Sequence, residues 1–349
     1  MTTTTLTALP ITAEHLQNLI NRVPRVPLAH TPTPLEELPR LAAELGGPRL
    51  FVKRDDLTGP AFGGNKVRNL EFRMAEALRA EADTVIMYVD IISNSARQTT
   101  AVANRLGLKT VLVLMGELPE HVTGNLLVDY LLGAEILFAH DAAEQRALVD
   151  ETAARLQREG HRPFVLNDSP MFAVAAALAY AESTLEILMQ LRNQDVGPER
   201  LHLYISSTGK GQPGLELAVR ALGLPAKVTG GAVLRTPGGA ARRVAELTNE
   251  AASFLGLDLH VTEANIDNRD DYVGEGYGIP SDAGTEAVFL AARTEGLVLD
   301  AIYTGKAFAA VIDDIRTGHL TRDDTAVYIH TGGLPLLFNT ADYLWARMR

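Results

Sequence analysis

The sequence contains no cysteine, which removes several kinds of chemistry at once. Disulfide bonds, thiolate zinc sites and cysteine nucleophiles all require that side chain. Its absence fits a reducing cytosol, so we expect a cytoplasmic protein. The HExxH pattern is also missing, and the histidine and acidic residues cannot be assembled into a ligand set, so we expect no metal.

Basic residues and long apolar runs are scarce as well. The 32 Lys and Arg stand against 43 Asp and Glu, a formal net charge of −11 that repels phosphate backbones. We therefore expect no nucleic-acid partner. The longest apolar run, Met171 to Tyr180, is shorter than the roughly 20 residues that cross a bilayer as a helix. No signal-type apolar run follows the Thr-rich start, so we expect no membrane partner and no targeting segment.

Hydrophobic residues make up 46% of the 349 residues, enough to bury a full core. At about 100–200 residues per domain, this length predicts either two domains or one large α/β unit with a subdivision. Short apolar runs alternate with longer helical patterns, which predicts βαβ units and parallel sheets. Thr33-Pro34-Leu35-Glu36 has the form of a capping box and predicts a helix that ends at Gly46-Gly47. The predicted strands are 50–53, 84–88, 109–115, 135–139, 163–166, 201–205, 227–232 and 325–330. The other predicted helices are 12–23, 66–80, 96–106, 124–132, 142–158, 171–192, 214–222, 239–255 and 281–295.

The segment from Phe51 to Glu71 carries the strongest chemical signal. A strand leads into a Gly63-Gly64 turn, and a helix then begins at Asn65-Lys66. At a helix start, the dipole and the neighbouring Arg68 favour the neutral amine of Lys66, as a Schiff-base nucleophile requires. The alternative interpretation is a surface lysine after a flexible loop, and this segment alone leaves both open.

Other glycine and lysine motifs fail on spacing. Gly209-Lys210 and Gly305-Lys306 lack the earlier glycine and the following Ser or Thr of a P-loop. Gly274 to Ile279 places isoleucine at the third glycine position of a dinucleotide fingerprint, and no strand precedes it. The GxSxG pattern is missing too. A P-loop, a dinucleotide site and a serine-hydrolase elbow are therefore excluded.

Six motifs follow one another along nearly the whole chain. They are Lys53-Arg54-Asp55-Asp56, Gly63-Gly64-Asn65-Lys66, Ser93-Asn94 with Arg97-Gln98, Gly276-Tyr277-Gly278-Ile279-Pro280, Tyr303-Thr304-Gly305-Lys306-Ala307 and His330-Thr331-Gly332-Gly333-Leu334-Pro335. In these motifs the chain resembles the D-cysteine desulfhydrase and 1-aminocyclopropane-1-carboxylate (ACC) deaminase family. The resemblance implies pyridoxal 5'-phosphate (PLP) as cofactor, a small amino acid as substrate and a homodimer.

The same resemblance implies the architecture. It is the two-lobe α/β fold of the tryptophan synthase β-subunit (fold type II), with parallel-rich sheets flanked by helices and PLP in the cleft between lobes. A large PLP-binding domain would comprise residues 1–60 and 169–349, with a small domain, residues 61–168, inserted into it. The long helix 171–192 is the candidate element that joins the lobes. We interpret Lys53 to Asp56 as a structural ion-pair cluster at their junction.

The resemblance also implies roles for individual residues. Lys66 would hold the cofactor covalently and move protons. Ser93 would face the substrate carboxylate and share in proton transfer, and Asn94 would bond the phenolic oxygen of the cofactor. Tyr277 and Tyr303 would flank the substrate and tune acid–base steps. The expected substrate-binding residues are Ser93, Asn94, Ser95, Gln98, Tyr277 and Tyr303.

The cofactor phosphate is expected at the segment Ser206 to Gly214, which follows a strand and precedes a helix. Backbone N–H groups and a helix N-terminus suit a phosphate there. Thr331 would lie near the pyridine nitrogen of the cofactor. The expected cofactor-binding residues are Lys66, Asn94, Ser207, Thr208, Gly209, Lys210, Gly211, Gln212, Thr304 and Thr331.

Two threonines bear on the reaction that the resemblance implies. A hydroxyl such as that of Thr331 cannot keep the ring nitrogen protonated as a carboxylate would, which suits substrates with a good β-leaving group. ACC deaminases typically carry Glu where this chain has Thr304. Thr304 therefore favours β-elimination over opening of a cyclopropane ring. The alternative interpretation of Thr304 is a helix cap.

Four stretches depart from the pattern of the family, at Asp90-Ile91-Ile92, Ser95, Lys210-Gly211-Gln212 and Asp168-Ser169-Pro170-Met171. We expect Ile91, Ile92 and Met171 to make the pocket narrower or more apolar than in relatives, and Lys210 to pair with the phosphate. The resulting prediction is α,β-elimination on a small amino acid of D or L configuration, giving a 2-oxo acid and ammonia. The alternatives are a β-replacement or cyclisation enzyme with a specialised substrate, and a non-catalytic PLP-binding protein.

Overall fold

The computed structural model describes residues 7–207, 210–236 and 239–349. The strands in these ranges are β1 (Leu35–Glu37), β2 (Arg49–Lys53), β3 (Thr84–Asp90), β4 (Lys109–Met115), β5 (Glu135–Ala139), β6 (Pro163–Val165), β7 (Leu201–Ser207), β8 (Lys227–Ala232), β9 (Asp267–Arg269) and β10 (Thr325–Ile329). The helices are α1 (Ala13–Asn21), α2 (Pro39–Leu45), α3 (Lys66–Arg79), α4 (Asn94–Arg105), α5 (Gly124–Leu131), α6 (Ala142–Arg158), α7 (Met171–Arg192), α8 (Gln212–Ala221), α9 (Ala240–Phe254), α10 (Asp282–Glu295), α11 (Thr304–Arg316), α12 (Leu336–Asn339) and α13 (Ala341–Met348). Strands and α-helices alternate from β2 to β8, as parallel strands with helical connections require.

These strands form two sheets. The larger has the order β1-β2-β10-β7-β8-β9 and is parallel except for β1, which runs antiparallel to β2. The smaller has the order β5-β4-β3-β6 and is entirely parallel. The predicted α/β architecture with parallel-rich sheets is therefore confirmed.

The central strand β10 shows why the larger sheet is stable. All five of its residues are buried, because helices cover both faces of a parallel sheet. Tyr328 points to one face and packs near Phe308 of α11. Val327 and Ile329 point to the other face and pack with Leu203 of β7. The core therefore lies on both sides of the sheet.

The predicted capping box at Thr33 is wrong. The segment after it forms strand β1, in which Leu35 lies opposite Lys53 of β2. The Thr33 hydroxyl donates to Asp55 Oδ1 at 2.8 Å instead of capping a helix. Helix α2 begins later, with Pro39 in its first turn. Edge pairing with β2 thus outweighs the local capping signal.

The smaller sheet is built from one continuous part of the chain. Its four strands lie between residues 84 and 165, and strands of the larger sheet lie before and after them in sequence. This arrangement supports a small domain inserted into a large one. The boundaries at residues 61 and 168 remain our proposal from the sequence.

Helix α7 packs in the protein core. By length and composition alone it is long enough and apolar enough to cross a membrane, and 67% of its most apolar window is buried inside the protein. It packs against α1, α3, α8 and α9. The apolar character of this helix therefore serves packing between helices.

An ion-pair cluster connects β2, α3 and α7. Lys53 Nζ donates to Glu186 Oε2 at 2.7 Å, and Arg68 donates to Asp55 at 2.8 Å and to Glu186 at 2.7 Å. Arg54 forms a separate pair with Asp56 at 2.8 Å. The structural interpretation of the Lys53 to Asp56 segment is thus supported by its contacts, with α3 and α7 as the additional partners.

Candidate active site

A cavity of about 160 Å³ is lined by residues of both sheets, including Val89 of β3 and Ser206 of β7. Eight of the residues predicted for the site line it: Lys66, Ser93, Asn94, Ser95, Lys210, Tyr277, Tyr303 and Thr331. Five predicted residues lie outside its lining: Gln98, Ser207, Gly211, Gln212 and Thr304. Thr208 and Gly209 fall outside the described residues.

Close glycine packing brings Lys66 to this cavity. Gly64 has φ +123°, and a Cβ atom there would lie 2.5 Å from Gln98 Nε2. Gly332 has φ +98°, and its Cβ would lie 2.7 Å from Gly64 Cα. Both positions require glycine, because a side chain would separate the two segments. The Asn65 N–H donates to Thr331 O at 3.0 Å across this contact.

Lys66 is the first residue of α3. Its Nζ donates to Asn65 Oδ1 at 2.8 Å. Burial, and after it the charge of Arg73, lowers the pKa of Lys66 to about 8. With that pKa, about a tenth of the amine is neutral at pH 7, far more than for an ordinary lysine. Lys66 is therefore suited to react with a carbonyl group.

The cation that acts on Lys66 is not the one that the sequence suggests. Arg68 is bonded to Asp55 and Glu186, and its side chain is only 2% exposed. Two carboxylates neutralise its charge, so the prediction that Arg68 lowers the pKa of Lys66 is wrong. Arg73 lines the cavity together with Lys66 and exerts the effect.

The N-terminus of α4 forms another wall of the cavity. Ser93 is the N-cap, and its hydroxyl accepts a hydrogen bond from Ser95 N at 3.1 Å. Asn94 follows as the first helical residue, and its Oδ1 accepts from Asn125 Nδ2 at 3.0 Å. N–H groups at a helix start suit an anionic group such as a carboxylate.

Gln98 supports this wall from behind. Its Oε1 accepts from the N–H groups of Lys66 at 2.9 Å and Val67 at 3.2 Å. Its Nε2 donates to Asn94 O at 3.1 Å. Since Gln98 is fully buried outside the cavity lining, the structure supports positioning of α3 against α4 by this residue.

Two tyrosines face each other at the cavity. The hydroxyls of Tyr277 and Tyr303 share a hydrogen bond, and their ring centroids lie 5.9 Å apart at 69°. Burial raises the pKa of Tyr277 to about 12. Burial, and then repulsion by the ionised form of Tyr277, raises the pKa of Tyr303 well above its usual range. Both phenols are neutral at physiological pH and can donate protons or hydrogen bonds.

Thr304 lies beside this pair but turns away from the cavity. Its hydroxyl donates to Asp300 Oδ2 at 2.6 Å and accepts from Asp300 N at 2.8 Å. These bonds close the turn that precedes α11. Tyr303 is the N-cap of α11 and Thr304 is its first residue, so the capping interpretation of Thr304 is wrong. The Thr304 hydroxyl instead holds Asp300, and Thr304 has no contact with the cavity.

The expected phosphate segment contributes Ser206 and Lys210 to the lining. Gln212 begins α8, and its amide donates to Asp267 O and accepts from Asn268 Nδ2, both at 2.8 Å. These bonds connect Gln212 to β9, so its side chain does not contact the cavity. The start of α8 follows Lys210 closely, as an anion site at a helix N-terminus requires.

The sequence analysis missed several lining residues, among them Asn69, Arg73 and Phe172. Lys66, Asn69 and Arg73 follow the i, i+3, i+7 spacing of one helix face, and this signal could have found them. Phe172 has no comparable signal, because its place depends on how α7 packs.

The prediction that three residues make the pocket narrower or more apolar is wrong. Ile91, Ile92 and Met171 do not line the cavity. Ile91 packs near Leu112 and Leu114 of β4, and Met171 is buried among helix residues. The apolar lining comes from Met87, Val89, Phe172 and Ala176.

Comparison with known proteins identifies the class of protein. Residues 26–332 match the model of the pyridoxal-phosphate dependent enzyme family. The chain belongs to this family, and its cofactor is PLP. It is therefore a PLP-dependent enzyme.

Its relatives include D-cysteine desulfhydrases. The protein of that name from Salmonella typhi is 40% identical over 324 residues, which cover 91% of this chain and 97% of the relative. Among solved structures, an ACC deaminase homologue superposes with a TM-score of 0.83 and 32% identity, covering 96% of this chain and 99% of that one. Threonine deaminase isoform 2 from Solanum lycopersicum, at 14% identity and a TM-score of 0.65, shares the fold and covers 98% of this chain and 90% of its own.

The electrostatics of the cavity fit PLP. Three cationic side chains, Lys66, Arg73 and Lys210, line it, and none of the described lining residues is Asp or Glu. Among the described residues, Arg73 Nε and Nη2 are buried without a hydrogen-bond partner. An anionic ligand would supply both the missing charge and the missing acceptors.

PLP, when bound, withdraws electrons from the substrate and weakens bonds at its α-carbon. The geometry suits Lys66 Nζ for holding the cofactor and for moving a proton. The start of α4 suits orientation of a carboxylate, and the paired tyrosines present neutral hydroxyls to the cavity. No group of three or more metal-binding side chains occurs among residues 7–207, 210–236 and 239–349.

Proposed function

We propose that the protein removes a β-substituent and the amino group from a small amino acid, as a D-cysteine desulfhydrase does. For cysteine, the α-proton and the Cβ–S bond are lost, sulfide leaves, and water converts the remaining fragment to pyruvate and ammonia. The observation that carries the proposal is the pairing of Lys66, with its lowered pKa, and the Tyr277–Tyr303 pair on the same cavity. Lys66 removes a proton from the substrate, and the tyrosine pair donates a proton or a hydrogen bond to it.

Lys66 is the base in this proposal. Its amine has a pKa of about 8 and therefore accepts and releases protons near neutral pH. Tyr303 or Tyr277 supplies a hydrogen bond or a proton to the leaving group, because both phenols are held neutral by burial. Elimination needs these two functions on one substrate.

Other lining residues define the substrate. Ser93 and Asn94, at the start of α4, receive its carboxylate. Met87 and Val89 form an apolar surface that suits a small, weakly polar substituent such as a thiol. Ser95 also lines this part of the cavity, and we propose it as a substrate contact. For the cofactor we propose Lys66, Asn94, Lys210 and Thr331.

We further propose a cytoplasmic homodimer. A surface groove lined by Leu57, Phe62 and Leu334 supports the dimer, because these side chains are exposed by 37% to 60% and a second copy would cover them. The absence of cysteine supports a reducing compartment. Light scattering of the purified protein measures the assembly, and a monomer at micromolar concentration would contradict it.

The test of function is product analysis with the holoenzyme. It is incubated with D-cysteine, L-cysteine, D-serine and β-chloro-D-alanine, and 2-oxo acid, ammonia and sulfide or chloride are measured. We expect equimolar pyruvate, ammonia and leaving group from at least one of these substrates. Lys66→Ala should lose this turnover because no amine remains to hold the cofactor or move the proton.

A matched control is Lys109→Met, which removes an exposed lysine on β4 and should keep full activity. A new amino acid as the main product would show replacement or cyclisation instead of elimination. Turnover of none of the four substrates, in a protein that binds PLP, would contradict the proposed function and favour a non-catalytic role.

A further inference from the structure

Arg73 is a buried cation in the cavity that the proposed reaction does not use. The residue is 3% exposed. Among the described residues, its Nε and Nη2 atoms have no hydrogen-bond partner. The carboxylate of Glu76 lies close enough for its charge to act on Arg73, but it accepts a hydrogen bond from Ser169. A buried guanidinium with free donors costs stability, so an acceptor is expected.

A second cation shares the surroundings of Arg73. Arg73 Cζ lies 4.6 Å from the centroid of the Phe172 ring, and Lys210 Nζ lies 3.9 Å from the same centroid. Arg73 Cζ and Lys210 Nζ therefore lie no more than about 8.5 Å apart. An aromatic face compensates a cation only weakly, and two like charges this close repel each other. An anion that contacts both would remove the repulsion.

The position of this pair identifies the anion. Lys210 precedes α8 by two residues, and Ser206 at the end of β7 lines the same cavity. A phosphate group carries about −1.5 to −2 charges and three acceptor oxygens, which matches two cations and a helix start. A substrate carboxylate carries one charge, and the start of α4 is available for it.

We propose that Arg73 binds the phosphate group of PLP, and that Arg73 and Lys210 hold this phosphate between them. The guanidinium supplies two parallel N–H donors, a geometry that phosphate oxygens accept. The proposal rests on PLP binding, which family membership shows, and is independent of which amino acid the enzyme uses. It gives the helix face of Lys66 two functions, because the lysine holds one end of the cofactor and Arg73 the other.

The test compares cofactors with and without phosphate. Wild type, Arg73→Leu and Arg73→Lys are loaded with PLP or with pyridoxal, and each dissociation constant is measured from the absorption spectrum on dilution. In Arg73→Leu we expect PLP to bind about 10- to 100-fold more weakly, since a charge-assisted hydrogen bond is lost. Pyridoxal should bind as it does to wild type, and Arg73→Lys should fall between.

Arg79→Leu is the matched control, because Arg79 lies on the same helix with 64% of its side chain exposed. It should leave both dissociation constants unchanged. A folding defect in Arg73→Leu would appear as a melting temperature below that of wild type. Without added cofactor, Arg73→Leu should melt at the same temperature as wild type or higher, since a buried unpaired charge is removed.

Two results would overturn the proposal. Unchanged PLP affinity in Arg73→Leu would mean that the guanidinium serves another anion. Equal loss of PLP and pyridoxal affinity would mean that Arg73 only shapes the cavity. Neither result depends on turnover, so failure of the proposed function in the product assay would leave this test intact.

Discussion

Single buried charges determine how the cavity responds to pH. Burial, followed by the charges of Arg73 and Lys66, lowers the pKa of Lys210 to about 7 in the protein without cofactor. An ordinary lysine titrates at 10.5. Between these two values the unfolded chain binds a proton that the folded chain has released. Stability of the cofactor-free protein therefore rises with pH in this range.

Lys210→Met tests this dependence. Below pH 7 the charged lysine destabilises the folded state fully, and the penalty decreases as pH rises from 7 toward 10.5. Melting temperatures of cofactor-free protein are measured from pH 6.5 to 9. We expect the increase with pH to be smaller in Lys210→Met than in wild type, and the exposed-lysine variant Lys109→Met to keep the wild-type slope. Equal slopes in all three proteins would refute the assignment.

At the level of elements, α11 holds the loop that carries Tyr277. Lys306 is fully buried in the first turn of α11. Its Nζ donates to the backbone oxygens of Val273 at 2.7 Å and Gly276 at 3.0 Å. Because Tyr303 directly precedes the same helix, α11 positions both tyrosines. Lys306 is thus a positioning residue for the Tyr277–Tyr303 pair.

Lys306→Met removes these bonds while keeping the length of the side chain. We expect kcat with the best substrate to fall about 10- to 100-fold, because misplacement of a reacting group by about 1 Å costs that much. The dissociation constant of PLP should change little, since Lys306 does not line the cavity. Lys227→Met, at the exposed start of β8, is the control. Loss of PLP together with activity would point to general unfolding of the site.

The sequence predicted those helices and strands whose ends are marked by neighbouring residues. Strand β4 and helices α6 and α7 match the predicted ranges, because local signals bound them: Gly116 follows β4, Asp141 caps α6 and Pro170 precedes α7. Helix α11 was missed, since Gly305 near its start resembles a loop signal. A Cβ on Gly305 would lie 2.6 Å from Gly284 O, so this glycine permits close packing with α10, which no local pattern shows.

The residues of the site also differ in how far the sequence predicts them. Lys66, Ser93 and Thr331 lie in short motifs at the ends of elements, where a few adjacent residues fix the backbone. Arg73 and Phe172 come from the packing of α3 against α7, which joins residues about 100 positions apart. The place of Phe172 is a property of the tertiary structure that motif analysis does not predict, whereas Arg73 lies on the helix face of Lys66 and its spacing could have found it.

For the whole molecule, the ion pairs around Glu186 connect the elements on which the cavity depends. Glu186 lies on α7, Lys53 on β2 and Arg68 on α3, and α3 begins with Lys66. The side chains of Lys53 and Arg68 are 0% and 2% exposed. With so little access to water, each cation depends on a carboxylate for compensation.

Glu186→Gln therefore leaves two buried cations short of one negative charge. We expect the free energy of unfolding, measured by urea titration, to fall by about 3–5 kcal/mol, the usual cost of breaking a buried ion pair. The control is Glu286→Gln, which breaks a pair with Arg316 whose partners are 53% and 50% exposed, and should cost about 0–1 kcal/mol. Similar losses in both variants would show that Glu186 contributes no more than a surface charge. A large loss at Glu186 alone would establish that this cluster stabilises the junction between β2, α3 and α7, and so fixes the helix that carries both Lys66 and Arg73.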